Sequence, residues 1–435
     1  MRIKQEYQNK NIAIYGMGVT GLSAGQTLKN LNANITCWDD NKKTRSKVKK
    51  FKLQKFWLSN KKIDFIVVSP GIDIKKCKIK NFLKKNLHKI ITDLDIFFSL
   101  NKNTPVISIT GTNGKSTTCK IIEKILKRAK YKVITVGNIG KPILSIKKVS
   151  NFFLIIEASS YQLEYSKLFR SNHAAILNIS PDHLERHKNI KNYINIKSKI
   201  FYAQNNSDYA YINLSNKYLK LIKNNLKKHK VKSKIILINK ATCNFILKKI
   251  KNNYFKSKGN IENLAFAYNI AKNLKIDKTT IIKAINNFRG LKHRQETIFV
   301  NKKIICVNDS KATSFEACLQ SLSNYNRIYW IVGGLPKYKD SFNLKNLKKK
   351  IIKAYIIGTK TSFFENQIKK NIPYTISKNL KNAVNNIYND VKFTKNLYNT
   401  ILLSPAAASY DQFTNFEDRG VYFKKLINKK FNLDV

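Results

Sequence analysis

Short apolar, β-branched runs recur along the chain, and most lead into a turn and then into apolar residues at helical spacing. The first runs lie at 11–15, 34–38 and 64–68. Others follow at 106–109, 132–136, 152–156 and 174–179, and the last at 303–307, 328–332 and 401–403. The helical pattern is plainest after 106–109, where Ile121, Ile122, Ile125 and Leu126 share a face. Strands alternating with helices predict an α/β protein. The stretch 202–256 carries little signal. Within the Lys- and Asn-rich part at 217–234, Leu219, Leu221, Ile222 and Leu226 mark a solvated helix. A further helix is expected from Gly259 and Asn260 onward, through Leu264, Ala267, Ile270 and Ala271.

Length and charge add to this picture. A chain of 435 residues accommodates roughly two to four domains. With 83 Lys and Arg against 25 Asp and Glu, the formal net charge is +58. Nucleic acid or an anionic membrane is the obvious partner for such a charge. The basic residues are mostly lysine, however, spread over the whole chain among many Asn and Ile, as an AT-rich coding sequence would favour. No Arg cluster with interleaved aromatics is present for base readout or stacking. No nucleic-acid partner is therefore expected, although the field would favour an anionic nucleotide substrate. Six widely spaced cysteines without a CxxC read as reduced, buried thiols of a cytoplasmic protein. The polar start lacks a signal core, and no apolar run is long enough to span a membrane.

The strongest chemistry lies at Thr110-Gly111-Thr112-Asn113-Gly114-Lys115-Ser116, between the strand at 106–109 and the next helix. Two glycines let the backbone N–H groups turn inward at a helix N-terminus, a ready anion cradle. Lys115 can reach terminal phosphates, and the Ser116 hydroxyl can ligate Mg²⁺. Ile109 stands five residues before Gly114, so the loop is shorter than the general GxxxxGK[ST] form. Glu157 ends a later strand on the expected same sheet edge, a natural place for a second Mg²⁺ ligand. Gly16-Met17-Gly18-Val19-Thr20-Gly21 follows the first strand, and Asp39-Asp40 ends the next. This spacing supplies a diphosphate cradle and a ribose acceptor. Taken alone it suits a nicotinamide-dependent oxidoreductase.

The GTNGKS loop resembles that of the Mur ligase and folylpolyglutamate synthase superfamily, ATP-dependent amide-bond ligases. Further resemblances follow in order: Ser69-Pro70-Gly71-Ile72, the 157–164 segment EASSYQLE, the 180–187 segment SPDHLERH, and Tyr193 to Lys197. Beyond them come Gly259-Asn260-Ile261-Glu262-Asn263, FRGLKHR at 288–294, NDSKATS at 308–314, GGLPK at 333–337 and SPAAASYDQF at 404–413 with Phe416 and Arg419-Gly420. Four positions depart from the family pattern. Gly259 replaces His, Lys292 replaces Pro, Ser314 replaces Asn, and Leu335-Pro336 stiffens a loop that is usually Gly-rich.

The resemblance implies three α/β domains: a Rossmann-like UDP-sugar domain at 1–92, a central phosphate-loop ATP domain at 93–291, and a Rossmann-like amino-acid domain at 292–435. It implies ATP contacts from Gly111, Thr112, Asn113, Gly114, Lys115, Ser116, Thr117, Asn260, Arg294, Asp309 and Lys311. Two Mg²⁺ ions would sit among Ser116, Glu157, His183 and a carbamylated Lys197, the carbamate supplying the oxygen that hard Mg²⁺ prefers. Lys115, His183 and Lys197 would be catalytic. The UDP-sugar would meet Gly18, Val19, Thr20, Asp39, Asp40, Ser69, Gly71, Asn138, Ser159 and Gln162. Thr313, Lys337, Ser409 and Phe416 would hold the incoming amino acid.

The NDSKAT stretch resembles the D-glutamate-adding branch of the family, and the DNPR of the diaminopimelate-adding branch is absent. The implied activity is ligation of D-glutamate to UDP-N-acetylmuramoyl-L-alanine through an acyl phosphate, for peptidoglycan precursors. The implied enzyme is a cytoplasmic monomer. The alternatives are a sister or folylpolyglutamate-type ligase adding another amino acid, a NAD-dependent oxidoreductase, and a nucleic-acid-binding NTPase.

Overall fold

The structure, a computed structural model, describes residues 6–137, 141–146, 151–256, 258–288, 290–337, 340–392, 394 and 398–431. The chain forms two compact units, Met1–Lys251 with Asn260–Asn286, and Asn252–Gly259 with Asn287–Val435.

The first unit holds two sheets. Asn11–Tyr15 (β1), Asn34–Trp38 (β2), Lys52–Leu53 (β3), Phe65–Val68 (β4) and Ile90–Ile91 (β5) pair in the order β3-β2-β1-β4-β5, all parallel. The pleat sends Ile12, Ile14 and Val67 into one core and Ala13, Tyr15, Ile66 and Val68 into the other, so both faces are covered. The chain leaves β1 on one side toward β2 and later returns on the other side as β4. The loop after β1 therefore opens at the topological switch point, where ligands of such sheets bind.

The second sheet contains Val106–Thr110 (β6), Val133–Gly137 (β7), Phe153–Glu157 (β8), His173–Ile176 (β9), Tyr209–Asn213 (β10) and Lys234–Ile238 (β11). Its order is β11-β10-β9-β6-β8-β7, again parallel. Helix Lys115–Arg128 packs against β6, β7 and β8. β10 and β11, with helix Leu219–Lys228 between them, come from the stretch whose pattern carried little signal. The apolar core of each element there is short: β10 is the five residues Tyr209–Asn213, flanked by Asn, Ser and Asp, and lysines surround β11.

The expected strand at 174–179 stops at Ile176. Leu177 N–H still donates to Thr110 O at 3.0 Å, and Asn178 then turns toward the phosphate loop. Glu157 is the last residue of its strand. The helix expected after Gly259 runs Lys258–Asn273, with Gly259 and Asn260 in its first turn.

The second unit carries Glu296–Val300 (β12), Ile304–Asn308 (β13), Ile328–Gly333 (β14), Leu335–Pro336 (β15), Ile351–Ile357 (β16), Tyr374–Lys378 (β17), Asn399–Leu403 (β18) and Ala407–Ala408 (β19). The large sheet runs β12-β13-β18-β14-β16-β17. Only β12 is antiparallel to its neighbour; the other pairs are parallel. Leu335-Pro336 is no loose loop, because it pairs with Ala407-Ala408 as a small antiparallel ribbon.

Five cysteines are buried and Cys77 is half-buried; all six are free thiols. Among the described residues no helix is long and apolar enough to cross a membrane.

Candidate active site

The phosphate loop joins β6 to helix Lys115–Arg128, with β8 and β9 on either side of β6. Gly114 has φ +83°, and a Cβ there would stand 2.2 Å from Asn263 Oδ1. Only glycine fits, and Asn263 lies hard against the loop, with its Oδ1 also accepting from Thr118 Oγ1 at 3.3 Å. The other side of the loop is held by Asn178. Its Oδ1 accepts from Asn113 N–H at 2.8 Å, its Nδ2 donates to Asn113 O at 3.1 Å, and its carbonyl takes Thr112 N–H at 3.0 Å. Thr112 Oγ1 donates to Ser180 O and accepts from Ser180 N–H. Two segments remote in sequence thus pre-shape the cradle.

Lys115 Nζ donates to Gly111 O at 2.9 Å and Thr112 O at 2.7 Å. Ser116 Oγ is buried with no hydrogen-bond partner among the described residues. A buried hydroxyl in that condition is costly unless a ligand completes it, and it fits a hard cation or a phosphate oxygen. Thr117 is buried one residue on. Glu157 is buried at the end of β8, paired in register with Ile109 of β6 and Gly137 of β7.

Lys197, on helix Ile190–Ser198, is buried. Its Nζ donates to Thr110 Oγ1 at 3.2 Å and to the same Gly111 carbonyl at 3.0 Å. Burial first, and then the charge of Lys115, push its pKa well below the ordinary lysine value, against the opposing pull of Asp182 and Glu157. A shift in that direction favours the neutral amine, which unlike the ammonium is a nucleophile. His183 has φ +53° at the start of a short helix, and its side chain is 43 % exposed. Tyr161 Oη lies 2.9 Å from His183 Nδ1.

The Gly-rich loop after β1 is a tight fit. A Cβ on Gly21 would stand 1.9 Å from Gly16 O, and Ser69 Oγ donates to that carbonyl at 2.7 Å. Gly18 precedes helix Val19–Lys29, Val19 is 70 % exposed, Thr20 is half-buried and Gly71 is exposed. Asp39 serves the backbone: one carboxylate oxygen accepts from Met17 N–H at 2.7 Å, the other from Asn41 N–H at 2.8 Å. Asp40 accepts from Tyr15 Oη at 2.5 Å. Ser159 and Gln162 bond each other in a capping box at helix Ser160–Glu164. Asn138 lies outside the described residues.

In the second unit the parallel strands β13, β14 and β18 deliver their loops to one sheet edge. Asp309 is buried and accepts from Ser321 Oγ, Ser404 Oγ and Gln295 N–H. Burial pushes its carboxyl up to about 6. Lys311 Nζ lies 4.9 Å from the Phe416 ring centroid. Thr313 and Lys337 are exposed, Phe416 is half-buried and Ser409 is buried. Arg294 is half-buried and donates its N–H to Leu291 O at 3.1 Å. Asn260, in the first unit, is buried. The buried Arg419 guanidinium ties the loops together, donating to Ser310 Oγ and O and to Ala407 O at 2.9–3.0 Å.

The sequence reading missed Asn178 as a partner of the loop, because it carries no motif of its own, and it named the segment 157–164 without giving its Tyr161 a role at His183. The only signal at Asn178 was a polar residue interrupting an apolar run opposite the loop.

A parallel sheet that ends in a short phosphate loop with a buried lysine amine beside it, in a chain carrying a second parallel sheet and a mixed one, defines a multi-sheet nucleotide-dependent enzyme. The model of the Mur ligase middle domain matches residues 109–282. The UDP-N-acetylmuramoylalanine–D-glutamate ligase of Rickettsia bellii (strain RML369-C) is 36% identical, covering 97% of this chain and 98% of its own length. That of Rickettsia prowazekii (strain Madrid E) is also 36% identical, with 97% and 98% covered. The chain belongs to the Mur ligase family, in its UDP-N-acetylmuramoylalanine–D-glutamate ligase branch. The crystal structure of the MurF ligase from Thermotoga maritima in complex with ADP shares the fold, with a TM-score of 0.56 at 13% identity over 99% of this chain and 97% of that one.

Proposed function

We propose that this protein joins D-glutamate to UDP-N-acetylmuramoyl-L-alanine at the expense of ATP, for peptidoglycan precursors. The observation that carries the reading is the placement around one loop of Lys115, the Ser116 hydroxyl, which has no hydrogen-bond partner among the described residues, and the neutral-leaning Lys197 amine. The nearly full-length likeness to D-glutamate ligases supplies the substrate pair. The protein works as a cytoplasmic monomer with small-molecule partners only, in three domains at 1–92, 93–291 and 292–435.

The substrate carboxylate attacks the γ-phosphorus of ATP, the bond to ADP breaks, and an acyl phosphate forms. The amine of D-glutamate attacks that carbonyl, and phosphate leaves from a tetrahedral intermediate. The carboxylate is already nucleophilic, so the protein contributes mainly position and electrostatics. Gly111 to Thr117 cradle the phosphates, and Lys115 offsets charge on the transferring group. Asn260, Arg294, Asp309 and Lys311 complete the ATP contacts.

Ser116, Glu157, His183 and carbamylated Lys197 would hold two Mg²⁺ ions. Magnesium, when bound, neutralises charge spread over the phosphoryl oxygens. Carbamylation requires the neutral amine: Lys197 Nζ bonds to the carbon of CO₂ and releases a proton, leaving an oxygen ligand in place of a cation. Gly18, Val19, Thr20, Asp39, Asp40, Ser69, Gly71, Asn138, Ser159 and Gln162 meet the UDP-sugar, Asp39 also holding the loop through Met17 N–H. Thr313, Lys337, Ser409 and Phe416 hold D-glutamate, the lysine and hydroxyls suiting a dicarboxylate.

Phosphate release from ATP with UDP-N-acetylmuramoyl-L-alanine, scanned over D-glutamate, L-glutamate, L-lysine and meso-diaminopimelate, tests the reading. Release that requires both the UDP-sugar and D-glutamate is expected. Release with another amino acid would move the protein to a sister branch, and release with none would refute the reading.

A further inference from the structure

We infer that Tyr161 is a positioning residue for His183, accepting a hydrogen bond from Nδ1–H so that Nε2 keeps its lone pair for a divalent cation. The inference rests on the reading of His183 as a metal ligand. The two residues meet closely: Tyr161 Oη stands 2.9 Å from Nδ1, and the ring centroids are 4.9 Å apart.

Tyr161 is itself held. The Arg186 guanidinium lies over its ring at 4.6 Å, and Arg186 is buried in an ion pair with Glu164 at 2.8 Å. Tyr161 follows the capping-box residue Ser159 in the helix Ser160–Glu164, so its backbone is fixed too. A chain of contacts, Glu164 to Arg186 to Tyr161 to His183, reaches the imidazole from its Nδ1 side. His183 needs this support, because it sits in the left-handed region at φ +53° with a half-buried side chain.

The opposite nitrogen faces a different environment. Nε2 is 3.4 Å from Asp182 Oδ2. On the other side, Glu185 Oε1 lies 3.6 Å from Nδ1, too far for a hydrogen bond, so the Tyr161 hydroxyl is the group that partners Nδ1. A ligating imidazole whose other nitrogen donates to a fixed acceptor has its tautomer and orientation set. Nothing in the sequence singles out the Tyr161 hydroxyl, since a phenylalanine would fill the same space.

The test is a nitrogen-15 NMR spectrum of the full chain labelled only at histidine. Six histidines keep it readable, and His183→Asn assigns the relevant peaks. The metal-free protein should show His183 protonated at Nδ1 and bare at Nε2. Tyr161→Phe keeps the ring under Arg186 and should shift His183 toward the Nε2–H form. Mn²⁺ added with ADP should broaden the His183 signals, and the broadening midpoint should move to about tenfold higher Mn²⁺ in Tyr161→Phe. Far-UV circular dichroism checks that the variant is folded. An Nε2–H tautomer in the unmodified protein overturns the inference, as does a tautomer and midpoint unchanged in Tyr161→Phe. Absence of Mn²⁺ broadening at His183 overturns it as well. If D-glutamate-dependent phosphate release persists in that case, the ligase reading stands and only the metal assignment of His183 falls.

Discussion

Asn178→Ala isolates how much of nucleotide affinity resides in the shape of the phosphate loop rather than in contacts to the nucleotide. The side chain makes two hydrogen bonds to Asn113, 2.8 Å from its N–H and 3.1 Å to its carbonyl. The backbone bond from Thr112 N–H to Asn178 O survives the substitution. Each lost bond is worth about 1 kcal/mol net, so ordering the loop on binding should cost about 2 kcal/mol more. At 1.4 kcal/mol per decade, that weakens MgADP binding by about 30-fold. Both bonds are solvent-exposed, so water can replace part of each and the figure is a ceiling. Isothermal titration calorimetry of MgADP reads the effect directly. The melting temperature should hardly change, because the loop lies at a sheet edge and the cores under β6 and β9 are untouched. A dissociation constant within twofold of the parent, on folded protein, would refute the claim that Asn178 pre-shapes the cradle.

Lys115→Ala should lower turnover by orders of magnitude while circular dichroism stays unchanged; near-normal phosphate release would sink the loop assignment. Lys197→Ala should lose activity that short-chain carboxylates partly restore, and full activity without rescue would reject the carbamate. Lys337→Ala should chiefly raise the apparent KM for D-glutamate, so an unchanged KM removes it from that pocket. Asp309, raised from 3.8 to about 6 by burial, binds its proton more tightly in the folded chain. Its contribution to stability is complete below about pH 4 and lost as pH rises through 6, a change of up to about 3 kcal/mol. Asp309→Asn stays neutral, so the stability of the parent relative to this variant should fall across that window in urea titrations; a pH-independent difference would refute the assignment.

Local rules alone determined the alternation of strands and helices, the two Gly-rich turns and the place of Lys115 and Ser116 at a helix start. Each depends on residues within a few positions of one another, on a periodicity or on a turn that only glycine can make. Strand ends were less legible. β9 stops at Ile176 because Asn178 is drawn to Asn113, 65 residues away. β10 and β11 were hidden because their apolar cores are short, the first among Asn, Ser and Asp and the second beside a lysine-rich segment. Lys197 is one lysine among many until its helix lies against β6 and brings Nζ to the Gly111 carbonyl, 86 positions distant. Burial then changes its chemistry by disfavouring the charged form. Asp39 matched a ribose acceptor by spacing, and only the fold shows that each of its oxygens also accepts from a backbone N–H, of Met17 and of Asn41. Tyr161 gained its meaning from His183, 22 residues on. A residue's type and spacing state which bonds it is able to make. Only the folding of remote segments into contact selects which of those bonds form, and whether water remains to compete for them.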